Sequence, residues 1–237
     1  MCAERPDPQA VVTMFDRIAP RYDVMNTIMT GGLDRLWRRR ALDAAGLRPG
    51  SRLLDVATGT GRLALAAAAR LQGRGAVIGL DPSGQMLARA RSTAAREGLA
   101  VTWVQAAAEA LPFADATFDT VTIAFGLRNL PDVAAGLREM ARVTAPGGRL
   151  VVLEIAEPAG GMAGVLYRTW FRQVVPRLGA LAGQREAYAY LPDSVDRYPV
   201  PRQVGELMTQ AGLVDVRWRW LTSRMVTLHV GVREMSR

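Results

Sequence analysis

The chain has 237 residues, about the size of one α/β domain with additional segments, and it can bury a core without disulfides or structural metals. We therefore predict a single domain over residues 1–237. The one cysteine, Cys2, cannot pair within the chain, and no Cys/His cluster has metal-ligand spacing, so we expect a cytoplasmic location and no metal site. The first nine residues lack the pattern of a signal peptide, so export is not expected.

The formal net charge is +8, and all 30 basic residues are Arg. An absence of Lys beside abundant Ala, Gly, Arg and Val indicates GC-rich codon usage, not selection for a phosphate-binding face. The densest basic run is Arg38-Arg39-Arg40. We therefore expect no specific nucleic-acid partner, and we interpret the charge as a solvated surface or as weak attraction to an anionic membrane.

Between residues 51 and 156, short β-type runs alternate with helical stretches, which predicts βαβ units and a mostly parallel sheet. The predicted strands are Arg52 to Val56, Ala76 to Leu80, Val101 to Gln105, Phe118 to Ala124 and Arg149 to Ile155. The predicted helices are Leu63 to Leu71, Gly84 to Glu97 and Val133 to Val143. We expect Ser83 to cap the second helix, and Pro146-Gly147-Gly148 to stop the third before the next strand. This is an α/β fold with helices on both faces of the sheet.

Three further segments complete the predicted organisation around the 51–156 core. Residues 11–45 should form a helical cap, interrupted by Gly31-Gly32, over one edge of the sheet. Residues 157–200 are predicted to be an insert, in which apolar residues from Met162 to Val174 recur at helical spacing. Three interpretations of this predicted helix are open: it packs on the core, it covers an apolar substrate, or it lies on a membrane surface. Residues 201–237 should add a helix near Gln203 to Ala211 and an antiparallel finish in two runs, Val214 to Leu221 and Arg224 to Val232.

The loop from Asp55 to Gly61 lies between a strand and a helix, where glycines let the backbone approach a ligand closely. Residues 59–64 also match the dinucleotide fingerprint, so a nicotinamide dehydrogenase is one alternative. The Asp55 carboxylate would repel a pyrophosphate but attract the sulfonium and ammonium groups of S-adenosylmethionine. We therefore predict that cofactor; for Asp55 itself, a carboxylate that caps its own loop is the alternative. The predicted contacts in this loop are Asp55, Ala57, Gly59, Thr60 and Gly61.

Other cofactor contacts are predicted after the second, third and fourth strands. Asp81 follows Gly61 by twenty residues, the expected place for a carboxylate that binds two ribose hydroxyls. Met86 is an apolar wall for adenine or a core residue, and the small residues Ala107 and Ala108 leave room for a flat ring. Ala124, at the end of the fourth strand, completes the set.

Arg128 and Asn129 follow the fourth strand, and ligands of open α/β sheets bind beyond the carboxyl ends of the strands. The pair should face the reacting group, where it can polarise an oxygen or orient a water. A pair of hydrogen bonds that stabilises the loop is the alternative.

With these residues in place, the chain resembles the ubiquinone/menaquinone biosynthesis C-methyltransferases of the UbiE/MenG type, which are class I methyltransferases with a Rossmann-like sheet. The resemblance runs from Phe15 to His229, and its final motif is closest to the demethylmenaquinone branch. The motifs that carry it are Tyr22-Asp23-Val24-Met25-Asn26, Ala108 to Phe113, Phe125 to Asn129, Pro146-Gly147-Gly148 with Glu154, and Tyr190-Leu191-Pro192-Asp193-Ser194. The chain departs from the family pattern at Asp34, Thr58, Ala107, Ala124 and Ala145, where the family has His, Gly, Asn, Ser and Lys.

The resemblance implies methylation of a ring carbon of a reduced polyprenyl quinone, demethylmenaquinol to menaquinol. Such an enzyme aligns the nucleophilic carbon with the methyl group, excludes water, and provides a base for the ring proton. The candidates for that base are a water held by Arg128 and Asn129, then Asp23, Tyr22 and His229. His229 is the single histidine, and in a predicted strand it is more often a hydrogen-bonded core residue.

Two other functions remain open from the sequence: a secondary-metabolite methyltransferase with another aromatic acceptor, and a non-catalytic cofactor- or RNA-binding protein. For the quinol methyltransferase, the expected partners are a polyprenyl quinol substrate, a membrane surface contacted peripherally, and a second copy of the chain in a homodimer.

Overall fold

In the computed structural model, the described residues are 7–156, 169, 190, 192, 194–222 and 224–235. Their strands form one sheet in the order β3-β2-β1-β4-β5-β7-β6. The strands are β1 (Arg52–Val56), β2 (Ala76–Asp81), β3 (Thr102–Gln105), β4 (Phe118–Ala124), β5 (Thr144–Ile155), β6 (Leu213–Leu221) and β7 (Val226–Arg233). Strands β1 to β5 pair in parallel, whereas β7 runs antiparallel to β5 and β6. The predicted fold class is confirmed.

The helices of the described residues lie before, between and after these strands. They are α1 (Pro8–Ile18), α2 (Tyr22–Thr30), α3 (Leu33–Ala45), α4 (Arg62–Leu71), α5 (Gly84–Glu97), α6 (Val133–Val143) and α7 (Pro201–Gln210), with a 3₁₀ turn at Leu127–Asn129. Gly31 and Gly32 both adopt positive φ, of 57° and 80°, between α2 and α3, which confirms the predicted interruption. Ser83 caps α5 as expected, because its hydroxyl accepts a hydrogen bond from the Met86 N–H at 3.1 Å.

The two faces of the sheet bury alternate residues of the central strands, as the period of two requires. Leu53 of β1 packs with α3 and α4 on one face. Leu54 packs with α6 and α7 on the other. Helix α3 therefore covers a face of the sheet, and the prediction that the N-terminal helices cover an edge is wrong for this helix. The cause is its buried stripe of Trp37, Ala41, Leu42 and Ala45.

The Pro-Gly-Gly sequence does not separate α6 from β5, contrary to prediction. Strand β5 already begins at Thr144, and its pairing with β4 passes from Phe118↔Thr144 to Thr120↔Arg149. The extra residues form a bulge within the strand, where Gly147 adopts a φ of 74°. A Cβ on Gly148 would lie 2.8 Å from the Asp119 carbonyl oxygen, so the bulge is packed closely against β4.

The predicted amphipathic helix over residues 162–174 lies outside the described residues. Among the helices that the structure describes, none is long and apolar enough to cross a membrane.

Candidate active site

A cavity of about 290 Å³ lies beyond the carboxyl ends of the parallel strands. Loops that follow β1, β2, β3 and β4 form its floor, and residues of α1 and α2 cover it. Of the predicted site residues, the structure brings nine to its wall: Ala57, Gly59, Thr60, Asp81, Met86, Ala107, Ala108, Ala124 and Asn129. The other four, Asp23, Asp55, Gly61 and Arg128, stand behind or beside this wall.

The backbone at the ends of β1 and β4 is unusually constrained. Ala57 and Phe125 both adopt left-handed conformations, with φ of 49° and 61°, which non-glycine residues rarely do. The two loops also touch, because a Cβ on Gly126 would lie 2.6 Å from the Ala57 Cβ. At Gly59, by contrast, an added Cβ would meet no atom within 4 Å, so the space above the glycine loop is open. A ligand can therefore lie directly on this backbone.

The carboxylate of Asp55 fixes the glycine loop from behind. Its Oδ2 accepts a hydrogen bond from the Thr58 hydroxyl at 2.6 Å, and its Oδ1 accepts one from Thr122 at 2.7 Å. Burial raises the pKa of Asp55 to about 6, although these hydrogen bonds oppose the rise. This geometry matches the alternative, a carboxylate that stabilises its own loop. Asp55 does not line the cavity, so it is not placed for direct contact with a cofactor. Its electrostatic attraction of a cation stays a prediction.

The carboxylate of Asp81 lines the cavity and cross-links two of its loops. It accepts hydrogen bonds from the Gly59 N–H at 2.8 Å and from the Ser83 N–H at 2.9 Å. Burial raises the pKa of Asp81 to about 6, and the two backbone hydrogen bonds oppose that rise. Because a carboxylate oxygen has two lone pairs, each can accept one more hydrogen bond, as two adjacent hydroxyls would require.

Small and apolar residues surround the far end of the cavity, after β3. Met86 is 2% exposed and packs against Ile18 and Ala19 as a core residue does, and it also lines the cavity. Its role as a wall for adenine stays a prediction. Glu109 was not predicted. Its Oε1 is buried and has no hydrogen-bond partner in the described ranges, and the residue lines the cavity. As the one charged residue between Ala107 and Pro112, it could have been found from the sequence.

Helices α1 and α2 form the cover, and two carboxylates attach it to the loops below. Asp16 of α1 accepts hydrogen bonds from the Ser83 hydroxyl and from the Gln85 N–H, so it docks α1 onto the start of α5. Asp23 of α2 accepts one from the Thr60 hydroxyl at 2.7 Å. This role of Asp16 was not predicted. The aromatic residues Phe15 and Tyr22, with ring centres 6.1 Å apart, contribute to the cavity wall.

Asp23, predicted as a catalytic residue, faces the glycine loop from outside the cavity. Besides Thr60, it pairs with the Arg62 Nε at 3.1 Å. Asp34 continues this network, since its Oδ2 lies 3.1 Å from Arg62 and 2.8 Å from Arg38. Asp23 is therefore placed as a tether between α2 and the loop, and the structure does not bring it to Arg128 and Asn129.

Arg128 and Asn129 have different environments, although both follow β4. The Arg128 guanidinium forms an ion pair with Glu154, and its Nη1 donates to the Phe125 carbonyl at 2.9 Å. Burial acts to lower the pKa of Arg128, but Glu154, Tyr22 and Tyr190 together outweigh burial and raise it. Arg128 is thus held as a cation that stabilises the loop, and it also lines the second cavity described below, so its predicted catalytic role stays a prediction.

A second cavity of about 260 Å³ adjoins the first, and Asn129 lines both. The Oδ1 of Asn129 is buried without a hydrogen-bond partner among the described residues. The hydroxyl of Tyr198, which lines the second cavity, is likewise unpartnered within those residues. Buried polar atoms usually have partners, so each of these two atoms can still form a hydrogen bond with a water or with a polar ligand.

His229 lies in the sheet and not in either cavity wall. Its Nε2 donates to the Pro201 carbonyl at 2.8 Å, and its ring stacks on Trp218 with centres 5.8 Å apart. Burial lowers the pKa of His229 to about 4. The interpretation as a hydrogen-bonded core histidine is confirmed.

Comparisons with known proteins show the family and the fold of the chain. The pattern of the ubiE/COQ5 methyltransferase family matches residues 4–233. A demethylmenaquinone methyltransferase of Thermus thermophilus is 48% identical over 93% of this chain and 100% of its own length. The ubiquinone/menaquinone biosynthesis C-methyltransferase UbiE of Syntrophotalea carbinolica is 43% identical over 94% of this chain and 93% of its own. A solved SAM-dependent methyltransferase from Aquifex aeolicus has the same fold, with a TM-score of 0.60 at 18% identity, covering 89% of this chain and 97% of its own.

Proposed function

The chain belongs to the ubiE/COQ5 methyltransferase family, and from that membership we propose that it transfers a methyl group from S-adenosylmethionine to a ring carbon of a reduced polyprenyl quinone. The quinol that we propose is demethylmenaquinol, because the Thermus relative of that name matches almost the whole chain. The single observation that carries the proposal is the pair of adjoining cavities that meet at Asn129. One accommodates a cofactor and the other an acceptor.

The first cavity fits S-adenosylmethionine, which supplies an electrophilic methyl group when bound. The open space above Gly59 leaves room for a ligand on the backbone, and the remaining lone pairs of Asp81 suit two ribose hydroxyls. Ala107 and Ala108 leave room for the adenine, with Met86 as an apolar wall. The small, neutral side chain of Ala124 lines the part of the first cavity that lies next to β4. In this assignment Thr60 and Gly61 shape the loop, and Gly61 packs so closely that a Cβ would lie 2.5 Å from Trp103.

The second cavity suits a hydroquinol head group. Burial raises the pKa of Tyr198, with Glu154 adding to the rise and Arg128 opposing it, so its hydroxyl stays protonated and can donate to an acceptor oxygen. The Oδ1 of Asn129 can accept from a quinol hydroxyl or hold a water. Together the two side chains can fix the orientation of an aromatic ring with two oxygens, which is the main requirement of an in-line transfer.

Other residues hold the cover over the cofactor cavity in place and exclude water from it. Asp16 and Asp23 keep α1 and α2 over the cofactor cavity, and Phe15 contributes an apolar wall there. Arg128 fixes the loop that presents Asn129. A water held by Asn129 remains our candidate for the base that removes the ring proton.

The alternative, a secondary-metabolite methyltransferase, is not favoured, since relatives named for quinone methylation match more than nine-tenths of the chain. Mass spectrometry of quinones from cells that lack the gene tests the substrate. We expect demethylmenaquinone to accumulate and menaquinone to disappear, with recovery on re-expression. Unchanged menaquinone in those cells would refute the assignment.

We also propose a peripheral contact with an anionic membrane through α2 and α3. Val24 and Ile28, one helical turn apart on α2, are 63% and 54% exposed, and Leu36 of α3 is 42% exposed. Arg35 and Arg39 are exposed nearby on α3. Apolar side chains beside cations suit an interface with anionic lipid.

Flotation with vesicles that contain phosphatidylglycerol tests this contact. The wild type should float, and the double variant Val24→Glu/Ile28→Glu should not. Val200→Glu, at another site that is 56% exposed, serves as the control and should float. Equal flotation of all three proteins would contradict the proposal. The homodimer stays a prediction.

A further inference from the structure

Arg38 is a cation in the wall of the cofactor cavity that the assignments above do not use. It lies on α3, its side chain is 11% exposed, and its guanidinium carbon stands 5.0 Å from the centre of the Phe125 ring. At this distance the Phe125 ring supplies a cation–π contact to the guanidinium. The position of this charge is thus well defined.

The hydrogen bonds of Arg38 satisfy only part of its guanidinium. Its Nη1 donates to the Asp34 carboxylate at 2.8 Å and to the Asp34 carbonyl at 3.3 Å. Within the part of the chain that the structure describes, no hydrogen bond uses Nε or Nη2. Arginine carries five N–H donors in a planar fork, so most of them remain available for a further acceptor.

The charge of Arg38 is also incompletely balanced. The Asp34 carboxylate pairs with two arginines, because its Oδ2 also lies 3.1 Å from Arg62. Arg62 has a second acidic partner, Asp23. Burial lowers the pKa of Arg38, and Asp34 opposes this without cancelling it. An additional anion beside Arg38 would therefore be stabilised.

The order of the sheet indicates which part of the cofactor lies there. Asp81 ends β2, and Ala107 and Ala108 follow β3, so the ribose and adenine belong on that side. Strand β4 lies on the opposite side of β1, and Phe125, beneath Arg38, follows β4. A ligand that starts at β3 and crosses the glycine loop reaches Arg38 with its other end. In S-adenosylmethionine that end is an amino acid with one carboxylate.

We propose that Arg38 binds the carboxylate of the amino-acid portion of S-adenosylmethionine. A guanidinium fork matches a carboxylate bidentately, and charge-assisted hydrogen bonds of this kind are among the strongest in proteins. Arg38 thereby fixes the orientation of the methionyl chain and, through it, of the sulfur. Asp34 acts as a positioning residue that holds Nη1. The proposal rests on the cofactor assignment made above.

Calorimetry with three ligands tests it without any turnover. S-Adenosylhomocysteine carries the carboxylate, its decarboxylated analogue lacks that group alone, and 5′-methylthioadenosine lacks the whole amino-acid portion. The wild type should bind S-adenosylhomocysteine roughly tenfold to a hundredfold more tightly than the decarboxylated analogue. In Arg38→Met this preference should vanish, while the affinity for 5′-methylthioadenosine stays within about twofold. Arg38→Lys should keep part of the preference, because it retains the charge and loses the fork.

Arg39→Met is the matched control, since Arg39 is the next residue on α3 and is exposed outside the cavity wall. It should bind all three ligands like the wild type. The proposal is overturned if Arg38→Met keeps the preference for the carboxylate, or if it loses affinity for all three ligands equally. A wild type that binds none of the three would instead refute the cofactor site itself.

Discussion

Arg128 and Glu154 form an ion pair in which the arginine side chain is 7% exposed and the glutamate side chain 0%. Glu154 Oε2 also accepts a hydrogen bond from the Arg128 N–H at 3.2 Å. The pair joins the end of β5 to the turn that carries Asn129. Because a buried ion pair is costly to break, we expect this pair to fix that turn.

The stability of variants should reveal this role. Arg128→Met leaves Glu154 buried and unpaired, so we expect a loss of about 3 kcal/mol or more in the free energy of unfolding. The double variant Arg128→Met/Glu154→Gln removes both charges and should recover a substantial part of that loss. Denaturant unfolding measures both variants. Equal losses in the single and double variants would show that the pairing of charge is not what matters.

Kinetics of a variant can decide whether Asp23 tethers α2 to the glycine loop or acts as a general base. In Asp23→Asn the amide oxygen still accepts from Thr60, so a tether predicts that kcat falls by less than about tenfold. Removal of a general base predicts a loss of about 10²- to 10⁴-fold. Steady-state kinetics decides between them. Thr60→Val removes the donor of the same hydrogen bond, so under the tether it should lower kcat more than Asp23→Asn does.

Cofactor binding should depend on pH through Asp81. Because its pKa is about 6, the carboxylate gains a proton below that pH and loses acceptor sites for the ribose. Affinity for S-adenosylhomocysteine should therefore be constant above pH 7 and fall by up to about tenfold per pH unit below pH 6. Asp81→Asn should bind weakly with a flatter profile. A profile that is unchanged in the variant would assign the dependence to another group.

His229 should make the fold sensitive to acid. Its pKa is about 4 in the folded chain and near 6.5 when unfolded, so the unfolded state takes up the proton first as the pH falls. The stabilisation by neutral His229 is complete above about pH 6.5 and is lost progressively toward pH 4. The size of this effect is on the order of 3 kcal/mol.

The variant His229→Gln isolates this contribution, since its amide N–H can still donate to the Pro201 carbonyl. Thermal unfolding at pH 7 and pH 4.5 should show a smaller difference between wild type and variant at the lower pH. Asp55 and Asp81, whose raised pKa values act in the opposite direction, are present in both proteins and cancel. A difference that grows toward pH 4.5 would contradict the assignment.

The sequence predicted the parallel core well because its signals are local. The alternation of apolar residues, the Ser83 cap and the glycine loop each depend on neighbours in the chain. The bulge around Gly147 was missed because a Pro-Gly-Gly sequence has the same local pattern whether it ends a helix or lies within a strand.

The site was harder to predict, since its hydrogen bonds join residues far apart in sequence. Asp55 has the residue type expected for a cation site, yet Thr122 lies 67 positions away and occupies one of its oxygens. Asp16 and Ser83 are likewise 67 positions apart. Nothing in the Arg38-Arg39-Arg40 run predicts that Arg38 lines the cavity and that Arg39 is exposed to solvent. Such distinctions depend on the packing of α3 against the sheet.

The central claim is that this chain methylates a ring carbon of a reduced quinone at the junction of two cavities. The most direct measurement incubates the protein with methyl-labelled S-adenosylmethionine and a short-chain demethylmenaquinol, and locates the label in the product by mass spectrometry and NMR. We predict one labelled methyl group on the ring carbon, with turnover lowered at least about tenfold in Asn129→Ala, which loses the carboxamide that orients the acceptor. Label on a quinol oxygen, or turnover of other aromatic acceptors but of no reduced quinone, would contradict the claim.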